Sequence, residues 1–278
     1  MLLLYSDLIM TWKGGAGMIK LIACDMDGTL LDRRGNLNEE TFYVINNLKQ
    51  KGIYFAAASG RQYYNLEHKF DKVKHEILYI AENGSYVVDK GKELFSNSLD
   101  THIVKEFIEL GRKIDGAEIV LCGKKAAYIE KSYEKFVKEV EKYYYRYEIV
   151  DNLYEVEDDI LKLTVCDFKG SAANSNNVFE PLWSEEFQVA VSGEIWLDIT
   201  NKNVNKGVAI KLLQDKLNIT PEETMVFGDY FNDVEMLQAA HYSYAMENAP
   251  EEVKRHARFI AKSNEENGVL EVIKNRVL

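Results

Sequence analysis

Short apolar runs alternate with helical stretches from residue 18 onward, and this alternation limits the fold more than any other feature of the chain. Residues 19–24, 53–58 and 77–81 read as buried strands, each short and largely apolar. Between the first two, Asn38 offers a helix N-cap, and Glu39 and Glu40 load the first turn. Phe42, Ile45 and Leu48 share one side, and Gly52 closes the helix. Strand–helix–strand units of this kind imply a parallel sheet with helices on both faces.

The texture changes after Asn83-Gly84. Lys90-Gly91 is flanked by Tyr86-Val87-Val88 and Glu93-Leu94-Phe95 and reads as a hairpin. Further strands and helices through residue 199 suggest an α+β module with antiparallel pairing. After Thr200 the strand–helix rhythm returns: Ala209, Leu212, Leu213 and Leu217 form a helical stripe, and Thr220-Pro221 starts another turn. The parse is an α/β core of residues 18–84 and 200–278, interrupted by a module of residues 85–199.

Composition removes whole classes of function. Lys plus Arg is 34 against 45 for Asp plus Glu, a formal charge of −11. Such a chain is repelled by phosphate backbones and anionic lipid, so neither nucleic acid nor a membrane is expected as partner. No apolar run reaches the length of a membrane span. Cys24, Cys122 and Cys166 are odd in number and lack CxxC spacing, as packed, reduced thiols of a cytoplasmic protein would be. The five histidines are scattered, which argues against zinc. Residues 1–17 carry Asp7 within their apolar stretch and lack a basic start and a cleavage site. They read as an N-terminal extension or a mis-called start, disordered, before Met18.

Four strings fall at the ends of predicted core strands, where open α/β sheets bind ligands. Asp25-Met26-Asp27-Gly28-Thr29 places two carboxylates two residues apart, on one side of an extended backbone. They repel unless a cation intervenes, and hard, oxygen-seeking magnesium suits them. Ser59-Gly60-Arg61 offers a hydroxyl, backbone N–H groups and a guanidinium for phosphate oxygens. Lys206 stands at a helix start, a positive spot. Gly228-Asp229-Tyr230-Phe231-Asn232-Asp233 delivers two more acids. Each string has an ordinary explanation as a turn, cap or solvated charge. Together they describe a metal-assisted phosphate site with a carboxylate able to attack phosphorus.

As a set and in this order, DMDGT, SGR, Lys206-Gly207 and GDYFND resemble the haloacid dehalogenase superfamily, and within it the Cof-type branch. The likeness covers residues 18–278. It implies a Rossmann-like parallel-sheet core with an inserted α+β cap domain. It implies Asp25 as nucleophile and Asp27 as the acid and base. Magnesium would be held by Asp25, the Asp27 carbonyl and Asp229, with Asp233 close by. Thr29, Ser59 and Lys206 would contact the phosphoryl group, Gly60 and Arg61 would assist, and Asn232 would orient substrate. The expected activity is hydrolysis of a small phosphorylated metabolite, a sugar or cofactor phosphate, by a monomer or homodimer. A phosphohexose mutase using the same aspartyl-phosphate, or a non-catalytic phospho-ligand sensor, are the alternatives.

Tyr230 and Phe231 depart from the branch, which prefers a small residue after the acid; packing under the cap is expected for them. Tyr143-Tyr144-Tyr145-Arg146-Tyr147 is expected as cap strand packing, Trp183 and Trp196 as cap core, and Cys24 as core packing facing away from Asp25.

Overall fold

The computed structural model describes residues 18–278. The expectation for residues 1–17 lies outside the described residues. The described residues open with β1 (Leu21–Asp25), β2 (Tyr54–Ala58) and β3 (Leu78–Ala81), then the hairpin β4 (Tyr86–Asp89) and β5 (Lys92–Ser96). A second group follows: β6 (Ala117–Gly123), β7 (Ala127–Ile129), β8 (Tyr147–Ile149), β9 (Ile160–Asp167), β10 (Phe187–Gly193) and β11 (Trp196–Asn201). The last three strands are β12 (Thr224–Gly228), β13 (Tyr242–Met246) and β14 (Phe259–Ala261).

The core is one eight-stranded sheet in the order β14-β13-β12-β1-β2-β3-β4-β5. It is parallel from β14 to β3 and antiparallel from β3 to β5. Strand alternation divides its side chains between two packed layers. Ile22, Cys24, Phe55, Ala57 and Phe227 meet the helices Glu40–Gln50 and Gly268–Arg276. Leu21, Ala23, Ala56, Ala58 and Val226 meet Lys206–Leu217 and Val234–Gln238. Cys24 is thus buried opposite to Asp25, as expected. The Asn38 side chain accepts from the Glu40 N–H at 2.9 Å, the cap that its position suggested.

The hairpin β4–β5 corrects the first module boundary. Expected in the inserted module from residue 85, it pairs instead with β3 and extends the core sheet. Antiparallel texture alone does not distinguish a new sheet from a new edge on an old one. The separate six-stranded sheet, in the order β10-β11-β9-β6-β7-β8, begins with β6. Two helices, Thr101–Gly111 and Ser175–Trp183, cover one of its faces. Glu134–Tyr143 covers part of the other. The helix Ser175–Trp183, which contains Pro181, was not anticipated, and β8 overlaps the strand expected at residues 143–147 only at Tyr147.

The aromatic run follows its expectation in part: Tyr144 is buried in the core of the second sheet and Tyr147 packs against it, while Tyr145 and Arg146 reach across to the core domain. Only Tyr147 enters a strand. Tyr145 stacks on His68 of the core at 4.2 Å, and Arg146 lies 4.9 Å from the Tyr64 ring centre. The Gln62 amide donates to the Arg146 carbonyl at 2.8 Å and accepts from its N–H at 3.1 Å. The run seats the second sheet on the core. No helix among the described residues is long and apolar enough to cross a membrane.

Candidate active site

The carboxyl ends of β1, β2, β3 and β12 converge, because parallel strands joined by helices all point the same way. Asp25, the last residue of β1, is 6% exposed. After it the chain turns through Met26–Leu30, with Gly28 at φ +83°. A Cβ on Gly28 would stand 2.2 Å from Asp229 Oδ2, so the turn needs glycine for both conformation and clearance.

Lys206 begins the helix Lys206–Leu217 and is fully buried. Its Nζ donates to Asp25 Oδ1 at 2.5 Å and to Asp233 Oδ1 at 2.7 Å. Burial alone would lower its pKa. Asp233 and then Asp25 outweigh that and hold it above the usual lysine range. Asp233 uses its second oxygen on the N–H groups of Asp229 at 2.9 Å and Tyr230 at 3.1 Å, which fixes the loop after β12. Thr29 donates its hydroxyl to Asp229 Oδ1 at 2.8 Å.

Burial pushes the Asp25 carboxyl well above the usual carboxylate range, and Asp233 adds to the shift against the pull of Lys206. Burial likewise raises Asp229, to about 6, with Thr29 opposing and Asp233 reinforcing. Carboxyls held this way are short of positive charge. One oxygen from each of Asp25, Asp229 and Asp233 lies within 4.8 Å of the others. Oxygens around an octahedral magnesium at about 2.1 Å stand roughly 3–4 Å apart, so this all-oxygen cluster fits that ion. The Asp27 side chain is outside the cluster. Arg61 grips it through two parallel hydrogen bonds, Nε to Oδ2 at 2.7 Å and a terminal nitrogen to Oδ1 at 2.6 Å.

A cavity of about 440 Å³ opens above these groups, between the core and the second sheet. Of the expected site residues, Asp25, Asp27, Ser59, Gly60, Arg61, Asp229 and Asn232 line it. Thr29, Lys206 and Asp233 do not; Thr29 and Lys206 hold the lining carboxylates from behind, and Asp233 holds the Asp229 backbone N–H. Ser59 is buried, and its Oγ accepts from the Arg61 N–H at 3.2 Å.

Several residues were missed. Asn83, noted only where the texture changes, accepts from the Asn232 amide at 3.0 Å and lies against Gly60. It and Glu82 adopt φ +53° and +48°, a left-handed pair at the end of β3. Asn248 ties the turn after β1 by donating to the Gly28 carbonyl at 2.8 Å. Lys162, Thr164, Asp198 and Trp196 form the facing wall. Their only sequence signal is polar residues alternating within otherwise apolar strands. Trp196, expected as cap core, is buried yet also part of this wall, whereas Trp183 packs edge-on against Phe107. Tyr230 and Phe231 are not packed under a cap. They are 58% and 46% exposed and contact each other at the cavity rim, because Asp233 turns the loop outward.

The chain matches the family model for haloacid dehalogenase-like hydrolases over residues 22–273. It is 37% identical over 265 residues to the 5-amino-6-(5-phospho-D-ribitylamino)uracil phosphatase YbjI of Escherichia coli, covering 92% of this chain and 95% of that one. The structure of SMU.1108c from Streptococcus mutans superposes with a TM-score of 0.80 at 33% identity, covering 92% and 98% of the two chains. The fold is shared with the HAD subclass IIB sugar phosphatase BT4131, at a TM-score of 0.75, 22% identity, and 92% and 98% coverage. A parallel core with its acids at the strand ends, a second sheet over them and a family match spanning both agree: the chain belongs to the Cof-type haloacid dehalogenase-like hydrolases and is a phosphatase.

Proposed function

We propose that the protein is a magnesium-dependent phosphatase acting on a small phosphorylated metabolite through an aspartyl-phosphate on Asp25. The observation that carries this is the Asp25 carboxylate, buried at the cavity floor with one oxygen bound to Lys206. Lys206 fixes the carboxylate's orientation and leaves the other oxygen for attack. That oxygen bonds to phosphorus while the bond from phosphorus to the leaving oxygen breaks. Asp27 supplies the proton that the departing alkoxide needs. In the second step Asp27 takes a proton from water, whose oxygen attacks the phosphorus and releases inorganic phosphate with Asp25 restored.

Asp25, Asp229 and Asp233 and the Asp27 carbonyl would hold magnesium, which would offset their charge and that of the phosphoryl oxygens. On this reading Ser59 and Gly60, which line the cavity, would meet the phosphoryl group, Thr29 and Lys206 would act on it through Asp229 and Asp25, and Asn232 would face the leaving group. The Arg61–Asp27 pair adds a switch. An arriving phosphate offers the guanidinium fork another anion, and Asp27 is then released to carry a proton.

The substrate that the relative's name suggests first is 5-amino-6-(5-phospho-D-ribitylamino)uracil. The three cysteines are buried and unpaired, in keeping with a cytoplasmic enzyme. The test is phosphate release from that compound and from a panel of sugar and cofactor phosphates, with magnesium and with chelator, for wild type and Asp25→Asn. Release that needs both magnesium and Asp25 supports the reading. Isomerised hexose phosphate exceeding free phosphate would favour a mutase instead. No turnover of any kind would leave a phospho-ligand sensor.

A further inference from the structure

One charged cluster on the cavity wall takes no part in the chemistry above. Alternation along β9 places Lys162, Thr164 and Cys166 on one face of the second sheet. Cys166 packs beneath the helix Glu134–Tyr143, whereas Lys162 and Thr164 reach the cavity. Lys162 is 5% exposed. Its Nζ lies 2.9 Å from Glu82 Oε2, on the core, and 3.3 Å from Asp198 Oδ2, on β11. Asp198 Oδ1 accepts the Thr164 hydroxyl at 2.8 Å. Two carboxylates therefore share one ammonium.

Among the described residues that the second sheet gives to this wall, Lys162 is the sole cation. A neighbouring cleft of about 610 Å³ includes Lys162, Ser192 and Asp198 and adds Glu82 and Glu235, without another cation. A second anionic group on a substrate would meet an ammonium already committed to Glu82 and Asp198, and a surplus of negative charge. Leaving its hydration for that wall is costly. Hydroxyl or amine hydrogens meet the reverse, since Asp198 and Ser192 offer acceptor oxygens. The Trp196 ring, with Tyr143 against it at 5.4 Å, supplies an apolar surface for carbon.

We propose that Asp198, with Lys162 and Glu82, sets leaving-group specificity: it accepts hydrogen bonds from neutral polyhydroxylated or amino-bearing groups and rejects those with a second anion. This rests on the phosphatase reading above. It names the class of substrate which that site takes.

The test uses two substrates matched in length, D-glucitol 6-phosphate and 6-phospho-D-gluconate. They differ only in ending as a hydroxymethyl group or a carboxylate. Wild-type kcat/KM should favour the first by at least about ten-fold, and Asp198→Asn should reduce that ratio to within about three-fold. Glu82→Gln removes one charge of the cluster from the core side and should narrow the ratio as well, which covers failure of the first variant to fold. Calorimetric binding of both compounds to Asp25→Asn protein repeats the comparison without turnover. A wild-type ratio near one, or a ratio that both variants preserve, overturns the proposal. Unequal binding without hydrolysis of any phosphate would defeat the phosphatase reading and leave the filter standing.

Discussion

Lys206 Nζ lies 2.5 Å from Asp25 Oδ1, and the lysine has no exposed surface. It also serves Asp233 at 2.7 Å, so one buried ammonium joins Asp25 to the residue that fixes the loop after β12. Lys206→Met would strand both carboxylates. Losing one partner of a buried ion pair costs about 3–5 kcal/mol, and a drop of that size is expected in denaturant unfolding. The loss should be greater at pH 8 than at pH 5.5, because lower pH favours the neutral form of the stranded Asp25 carboxyl, which burial already pushes above the usual range. Phosphatase activity should fall by about 100-fold or more, as when an electrostatic stabiliser is removed. Unchanged stability would show that the lysine is not charged in place.

The Arg61 fork on Asp27 makes a second prediction. Two parallel hydrogen bonds at 2.7 and 2.6 Å need a planar guanidinium, which lysine cannot imitate. Asp27 is otherwise about half exposed. The pair is therefore weak as a source of stability and specific as a guide to orientation. Arg61→Lys should leave the melting temperature within a few degrees and lower kcat/KM by about 10- to 100-fold. An equal loss in Arg61→Lys and Arg61→Ala would support the fork; full activity in Arg61→Lys would refute it.

The positions of Asp25, Ser59 and Asp229 were legible because each stands at the end of a strand whose apolar run is plain, and parallel topology brings strand ends together, whereas Lys206 was legible as the start of a helical stripe. The facing wall was not. Lys162 and Asp198 come from strands separated by a helix and a hairpin strand, and only sheet register sets them beside each other. The hairpin β4–β5 was misplaced for the same reason, since strand existence is local and strand partnership is not. Tyr230 and Phe231 illustrate a further limit. Aromatic rings suggest burial, yet both stand exposed in a loop whose Tyr230 N–H is held by the Asp233 carboxylate three residues on.

Metal removal has a pH dependence with a definite sign. Burial lifts Asp25 and brings Asp229 to about 6, both above their unfolded values. Without metal the folded state then binds more protons than the unfolded state between about pH 4 and the raised values, so this part of stability is lost as pH rises. Magnesium binds the ionised carboxylates and competes with those protons. Chelated protein should therefore be less stable at pH 7.5 than at pH 5.5 on account of these groups. Magnesium should raise the melting temperature more at pH 7.5. Equal magnesium shifts at both pH values would contradict the carboxylate cluster as the binding site.

Tyr230 gives the last prediction. Its backbone N–H is held by Asp233, while its ring is exposed and borders both the cavity and the neighbouring cleft. Tyr230→Ser keeps the backbone bond and removes only the ring. Phe231 loses its edge-on partner at 5.2 Å, an exposed contact of little consequence for stability. The acids beneath do not depend on the ring, so kcat should change by less than about three-fold. KM for substrates with a ring or long chain in the leaving group should rise several-fold, and KM for a short one such as glycerol phosphate should stay put. A large fall in kcat for every substrate would instead show that the ring helps to shape the metal loop.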